Sequence, residues 1–416
     1  MYLLEIALIR DSFSGFRMST TRSAQACFEA LPNEILFRIF YSLDAKFVVS
    51  VVSKVCTRFS AVLSASSFWQ QKLFLRWPKK YPVAPGENNE SVDWKETCLE
   101  RERQFEQWTD WENKMEKITI RDPHDGTLHS VLLIDKGSVC ATTSKDRDLH
   151  IWDVRERTSA PESCSRQERL VHSVVDAHAG WLWSLHNVDG VLITSSFDRT
   201  IKFWDLDHAL QCLGSFNFQS IVLSICDADG LLCFGTLDGR VYCHDPREGK
   251  EPALRYSSGK GCVTCLATDG RSLVTGCDSR WLRVFDQRTR RLRQQIKFAT
   301  HPSALSFDSR QLWVGSRGGG VHIMDMTTGL AKELQCVSVD VGVGRSQIST
   351  GIYHSLSSVL VSYMGGPILV LEPSLDPEVI SKGAVGQKVF GFHVSDRTLA
   401  TVGVDVLEVW RPRFLE

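Results

Sequence analysis

The sequence predicts a multidomain chain: an all-α head of three helices, a helical linker, and an all-β propeller of seven blades. Three observations carry that reading. Residues 28–77 hold apolar stripes at helical spacing and no strand period. A charged stretch at 93–108 keeps a helical pattern after a Pro-, Gly- and Asn-rich break at 79–91. From residue 138 onward one strand–turn–strand unit recurs seven times. The boundaries that follow are an N-terminal tail at 1–27 with no assigned role, the head at 28–77, the linker at 78–114 and the propeller at 115–416.

Each repeat is an apolar strand, a Ser/Thr/Gly-rich stop, an Asp- or Gly-containing turn and an alternating strand that closes on an aromatic or apolar residue before the last position. The copies are 139–154, 191–206, 231–246, 272–287, 311–326, 358–373 and 397–412. They close at Asp153, Asp205, Asp245, Asp286, Asp325, Glu372 and Arg411, in steps of 52, 40, 41, 39, 47 and 39 residues. A four-stranded propeller blade takes roughly 40 to 45 residues, so seven blades fill 115–416. The pattern resembles the WD-repeat family. Its Trp-Asp signature is intact at Trp152-Asp153 and Trp204-Asp205, degraded elsewhere, and ends as Trp410-Arg411. The resemblance implies a pinning set in the second copy, with His178, a hydroxyl such as that of Ser196, Asp198 and Trp204 in structural roles. The fifth and sixth copies turn on Gly318 and Gly365, which can take positive φ without a side-chain anchor, and these blades are expected to be held less tightly. The isolated strand 117–121 is expected to be the outer strand of the last blade, closing the ring and removing a free edge.

In the head, Leu31, Ile35, Leu36, Ile39, Phe40 and Leu43 line one face of a first helix with Pro32 in its first turn. Val48, Val51, Val52, Val55, Phe59 and Val62 continue as a second helix, and residues 67–77 form a third. These stripes exceed what a core of about fifty residues covers, so one face is expected to dock on another protein. The run 31–43, followed by 54–63 and 68–77, resembles an F-box. It departs at Lys46-Phe47, where the family commonly has Asp-Leu, and at Phe59, where it commonly has Trp. The resemblance implies a Skp-type adaptor bound through Leu31, Pro32, Ile35, Leu36, Ile39, Leu43, Val55 and Cys56, and beyond it a cullin scaffold carrying activated ubiquitin.

The charge balance, 48 Lys+Arg against 49 Asp+Glu, favours neither nucleic acid nor an anionic membrane as partner. No run approaches the length of uncharged apolar residues that a spanning helix needs. Thirteen scattered cysteines read as reduced, packed thiols of a cytoplasmic and/or nuclear protein, and Cys262-x-x-Cys265 has no second pair with which to hold a metal. His178, His301 and His354 are expected to hydrogen-bond within blades. The basic run 288–293 reads as a solvated outer edge. No catalytic signature is present, and neither a cofactor nor a metal is expected.

What remains is recognition. The loops leading into the innermost strands and the turns between the two middle strands gather on one face of such a ring. Copy alignment places Leu132, Trp183, Leu223, Thr264, Leu305 and Phe390 there from the first set, and Lys145, Phe197, Leu237, Arg317 and Met364 from the second. Lys145, Trp183, Phe197, Arg317 and Phe390 are the candidate client-binding residues. They predict a largely apolar or aromatic client signal, with the packed lining of a channel as the competing reading. Two loops are longer than the repeat predicts: that at 155–168 is expected on the face away from the client site, and that around 342–347, with Arg345, is a candidate client-gripping loop, with surface slack as the other reading of either. The expected function is the substrate-recognition subunit of a Skp–cullin–F-box type ubiquitin ligase that directs clients to the proteasome, with a non-ligase interaction scaffold as the alternative.

Overall fold

The computed structural model describes residues 31–78, 93–155, 163–164, 166–228, 230–249, 251–308, 310–338, 348–355, 357–365, 367–374, 376–383 and 388–413. The tail at 1–27 and the tip of the loop around 342–347 lie outside them, as does most of the stretch 155–168. Two compact units divide between Glu102 and Arg103.

In the first unit, Pro32 caps the helix Asn33–Ser42 with φ −57°, and its carbonyl takes the amides of Ile35 and Leu36. The expected second helix is divided into Ala45–Ser50, a 3-10 turn Val52–Lys54 and Thr57–Leu63. The break falls where β-branched residues crowd at 48, 49, 51, 52 and 55, which weakens helix propensity, and Cys56 is fully extended. Ser66–Arg76 completes the head. Its core is aromatic: Phe40 meets Phe59 edge-on at 5.1 Å, and Phe68 meets Trp69 at 5.2 Å.

The helix Trp94–Thr109 begins on Asp93, whose carboxylate accepts the amides of Lys95 and Glu96. Glu102 on this helix is buried against the head. It pairs with the fully buried Lys72 at 3.3 Å and with Arg76 at 2.9 Å, and it accepts the Ala45 amide at 2.6 Å. Lys72 also donates to the carbonyls of Tyr41 and Leu43. Removing one member of such a buried network typically costs about 3–5 kcal/mol.

The second unit is the seven-bladed propeller. All seven predicted repeats are the second and third strands of a blade, a four-stranded antiparallel sheet in blades 1 to 6 and a five-stranded sheet in blade 7. Blades 1 to 6 span 128–174, 182–217, 222–257, 263–297, 302–338 and 349–383. Blade 7 joins 391–412 to the strand Met115–Arg121. The innermost strands contact one another in an unbroken ring. Closure is as expected: Met115–Arg121 pairs antiparallel with Val406–Pro412. It carries a further short strand, Ser163–Cys164, in parallel on its other edge. Closure also explains the aberrant Arg411, which sits directly opposite Glu116, binds its carboxylate at 3.0 Å and donates to the Val154 carbonyl of blade 1. An Asp in that position would face Glu116 as a like charge. The basic run 288–293 leads into the outer strand Leu292–Lys297, and Arg293 pairs with Asp286.

The pinning sets are real in two blades. His178 bonds Asp198 at 3.1 Å and Thr194 at 2.7 Å, and the Trp204 indole donates to Thr194 at 2.9 Å. The hydroxyl is that of Thr194, not Ser196, because Ser196 instead accepts the Asp198 amide. Blade 1 repeats the set with His124, Asp146, Thr142 and Trp152. Burial pushes the Asp198 and Asp146 carboxyls up, but the bonds from their histidines and from neighbouring groups outweigh it and hold both below the ordinary range. In blade 5 the left-handed turn position is Gly319, φ +86°, one residue beyond the expected Gly318.

Candidate functional site

One hydrogen bond recurs around the ring and sets the geometry of the face where client contacts are expected. In blades 1 to 6 the amide of the residue in the middle turn donates to the carbonyl of the residue just before the innermost strand. Examples are Lys145 to Thr127 at 3.1 Å, Phe197 to Trp181 at 2.8 Å and Arg317 to His301 at 2.9 Å. Turn and lead-in residues of each blade therefore lie side by side at one end of the ring.

At blades 7, 1 and 2 this arrangement builds a continuous aromatic surface. Trp183 lies 5.3 Å from Phe197 and 4.7 Å from His129, which is 6.4 Å from Phe390. Trp181, 46% exposed, packs on Phe197 at 5.5 Å and carries the Lys145 ammonium over its ring at 4.7 Å. Four of the five predicted client residues are thus brought together. Arg317 is not among them: it lines a separate cleft of about 450 Å³ at blades 4 and 5 with Arg280, Thr300 and His301.

Sequence reasoning missed His129 and Trp181. Trp181 could have been found by extending the copy alignment two residues upstream of Trp183. His129 could have been found the same way, since it stands five residues after His124 as Trp183 stands five after His178, in the same irregularity of the innermost strand. Burial, aided by Lys145, pushes its imidazole down to about 4, so it is neutral at physiological pH, and its Nε2 is buried without a hydrogen-bond partner among the described residues. The surface is apolar and π-rich with one cation at its edge, suited to aromatic or aliphatic side chains and a nearby carboxylate.

Other expectations resolve individually. Leu132 is buried in the core between blades 1 and 2 instead of facing a partner. His178 hydrogen-bonds within its blade, whereas His301 Nδ1 is buried with no such bond among the described residues. Cys262 and Cys265 are free thiols, pushed up by burial to about 11 and about 12 respectively. No helix among the described residues is long and apolar enough to cross a membrane.

On the head, Ile35 is 40% and Val55 46% exposed, and Pro32 is exposed as well. Leu31, Ile39, Leu43 and Cys56 are half-buried, while Leu36 is fully buried and serves as core beneath that face. Phe47 and Val51 add exposed apolar surface eight and four residues before Val55, at positions not among the expected adaptor contacts.

A helical head of this kind followed by a seven-bladed ring defines a class, the F-box protein of substrate-adaptor type with a WD propeller. The F-box-like family matches residues 28–75 and the WD domain, G-beta repeat, residues 169–205. F-box/WD repeat-containing protein 9 of Bos taurus is 31% identical over 92% of this chain and 82% of its own length. The Homo sapiens protein of the same name is 28% identical over 84% and 75%. F-box/WD repeat-containing protein mec-15 of Caenorhabditis elegans is 25% identical over 71% and 74%. The solved structure of U3-55K superposes with a TM-score of 0.61 at 12% identity, over 72% of this chain and 98% of its own, a likeness of fold alone. The chain belongs to the F-box/WD repeat-containing protein family. Members of that family are generally non-catalytic receptor subunits, with the F-box pointing to a Skp-type adaptor and the propeller to protein clients.

Proposed function

We propose that this chain is the client receptor of a Skp–cullin–F-box type ubiquitin ligase, working in the cytoplasm or nucleus. The head docks on the adaptor through Pro32, Ile35, Val55 and their half-buried neighbours Leu31, Ile39, Leu43 and Cys56. The propeller holds the client at the aromatic surface of Trp181, Trp183, Phe197 and Phe390. The observation that carries the reading is the pairing of exposed apolar side chains on an F-box-type head with a contiguous aromatic surface on the ring. Such a receptor needs no acid, base or nucleophile of its own, because it works by raising the client's effective concentration at the ubiquitin donor.

The client signal on this reading is an aromatic or aliphatic segment with an acidic group near Lys145. Co-purification from cells with the proteasome blocked tests both halves. Ile35→Asp and Val55→Asp should lose the adaptor and cullin while keeping clients. Trp183→Ala and Phe390→Ala should keep the adaptor and lose clients by about 30-fold, the size of a hot-spot contact. Retention of the adaptor by folded Ile35→Asp and Val55→Asp proteins would return the chain to the non-ligase scaffold reading.

A further inference from the structure

The described residues contain one group of three side chains able to hold a metal ion: His322, Glu333 and Cys336, each offering a ligand atom within 4.8 Å of the others. It lies on the two outer strands of blade 5, Gly320–Asp325 and Lys332–Ser338, apart from the aromatic surface and outside both roles proposed above. We propose that His322 and Cys336, steadied by Glu333, bind a thiophilic divalent cation of the zinc class.

The strands put the donors together. His322 and Cys336 are direct cross-strand partners and so share a face of the sheet. A register shift between Ile323 and Met324 brings Glu333 level with the same imidazole. Its carboxylate takes the Nδ1 position at 2.7 Å, and Cys336 Sγ lies 3.8 Å from Nε2. A tetrahedral zinc ion holds sulfur at about 2.3 Å and nitrogen at about 2.0–2.1 Å, which sets the two donors about 3.6 Å apart. The observed spacing needs almost no movement to accept the ion.

Two further features fit a ligand. Glu333 accepts the Nδ1 proton, fixing the tautomer whose Nε2 lone pair faces the thiol, the carboxylate–histidine–metal arrangement of many zinc sites. Phe298 packs edge-on against the ring at 4.6 Å and holds its orientation. Space for the ion comes from Gly320, where a Cβ would stand 3.5 Å from both Cys336 Sγ and His322 Nε2. On binding, the thiol releases its proton to solvent, the thiolate and the imidazole Nε2 coordinate, and water fills the remaining positions. No electron transfer is involved.

The full chain, stripped of metal by a chelator, tests this with zinc and with cobalt as a spectroscopic stand-in. Cobalt should bind at one equivalent with a thiolate charge-transfer absorption that Cys336→Ser and His322→Ala abolish. Glu333→Gln should weaken binding about 10- to 100-fold without abolishing it, as expected of a residue acting through the imidazole. In the unmodified protein, zinc should slow alkylation of Cys336 at least tenfold and leave Cys212, the other exposed cysteine among the described residues, unchanged. This second readout needs no variant to fold. Alkylation of Cys336 at the same rate with and without zinc, or cobalt binding that survives Cys336→Ser, would overturn the site and reduce the three residues to a hydrogen-bonded relay.

Discussion

Blades 2 and 6 hold the same hairpin with different chemistry. Blade 2 pins its turn by a chain of bonds from Asp198 through His178 and Thr194 to the Trp204 indole. Blade 6 turns on Gly365 and has no such set among the described residues. Its middle strands, Val359–Tyr363 and Ile368–Leu371, are instead buried at every position. The Tyr363 hydroxyl donates to the Gly319 carbonyl in the turn of blade 5 at 3.2 Å. A net hydrogen bond contributes about 0.5–1.5 kcal/mol and a fully buried aliphatic side chain about 1.5–3 kcal/mol. Glycine turns by themselves predict weaker blades, and this burial works against that expectation in blade 6. The polar set defines one geometry for a turn, while apolar burial supplies bulk stability without defining the turn.

The largest expected effect separates those two devices. Leu360→Ala in blade 6 should lower the unfolding free energy by about 2–5 kcal/mol, because it removes a fully buried side chain and leaves a cavity. Asp198→Ala in blade 2 should cost about 1.5–3 kcal/mol, the range for bonds to a charged group. Denaturant titration of both variants checks the order, and equal losses would erase the contrast.

A smaller effect sharpens the comparison at the turns. Gly365 has φ +82° at the register position of Asp198, and Arg199, the next residue in the turn of blade 2, has φ +68°. Gly365→Ala should destabilise by about 1–2 kcal/mol, while Arg199→Gly should relieve strain and stabilise by up to about 1 kcal/mol. Thermal melting of the two variants should move in opposite directions.

Acidification gives the most gradual effect. Burial pushes the imidazoles of His150, in blade 1, and His393, in blade 7, down to about 4. Between the ordinary histidine value of 6.5 and 4 the unfolded chain therefore binds more protons than the folded one, and stability falls as pH drops through that window. Asp146 and Asp198, held below the ordinary 3.8, contribute stability that is complete above that value and is lost as pH falls beneath it. Denaturation midpoints at pH 7, 5 and 3 should decline at each step, and Asp198→Asn should shrink only the last decline.

Much of the fold was legible along the chain because the physics that encodes it is local. Two-residue alternation marked all seven hairpins, and the isolated strand before the first repeat was identified as the ring's closure because an unpaired edge is costly. Even so, the β-branched valines after Asp44 broke a helix that the apolar spacing alone had drawn as continuous. Copy alignment brought Lys145, Trp183, Phe197 and Phe390 to one surface but misjudged Leu132, because it set blade 1 out of register: His124 matches His178, so His129 and not Leu132 stands in the place of Trp183. The F-box alignment likewise included Leu36, which only packing reveals as core.

By itself, then, the sequence determined the repeat, the number of blades and the kind of head, all properties of neighbours within a few residues. Tertiary structure alone decided the rest. It set Glu116 opposite Arg411, buried Lys72 against Glu102, laid His129 between Trp183 and Phe390, and faced His322 toward Cys336. The reason is physical: burial, charge pairing and metal-ligand spacing depend on through-space distance, and a closed ring makes neighbours of residues nearly three hundred positions apart.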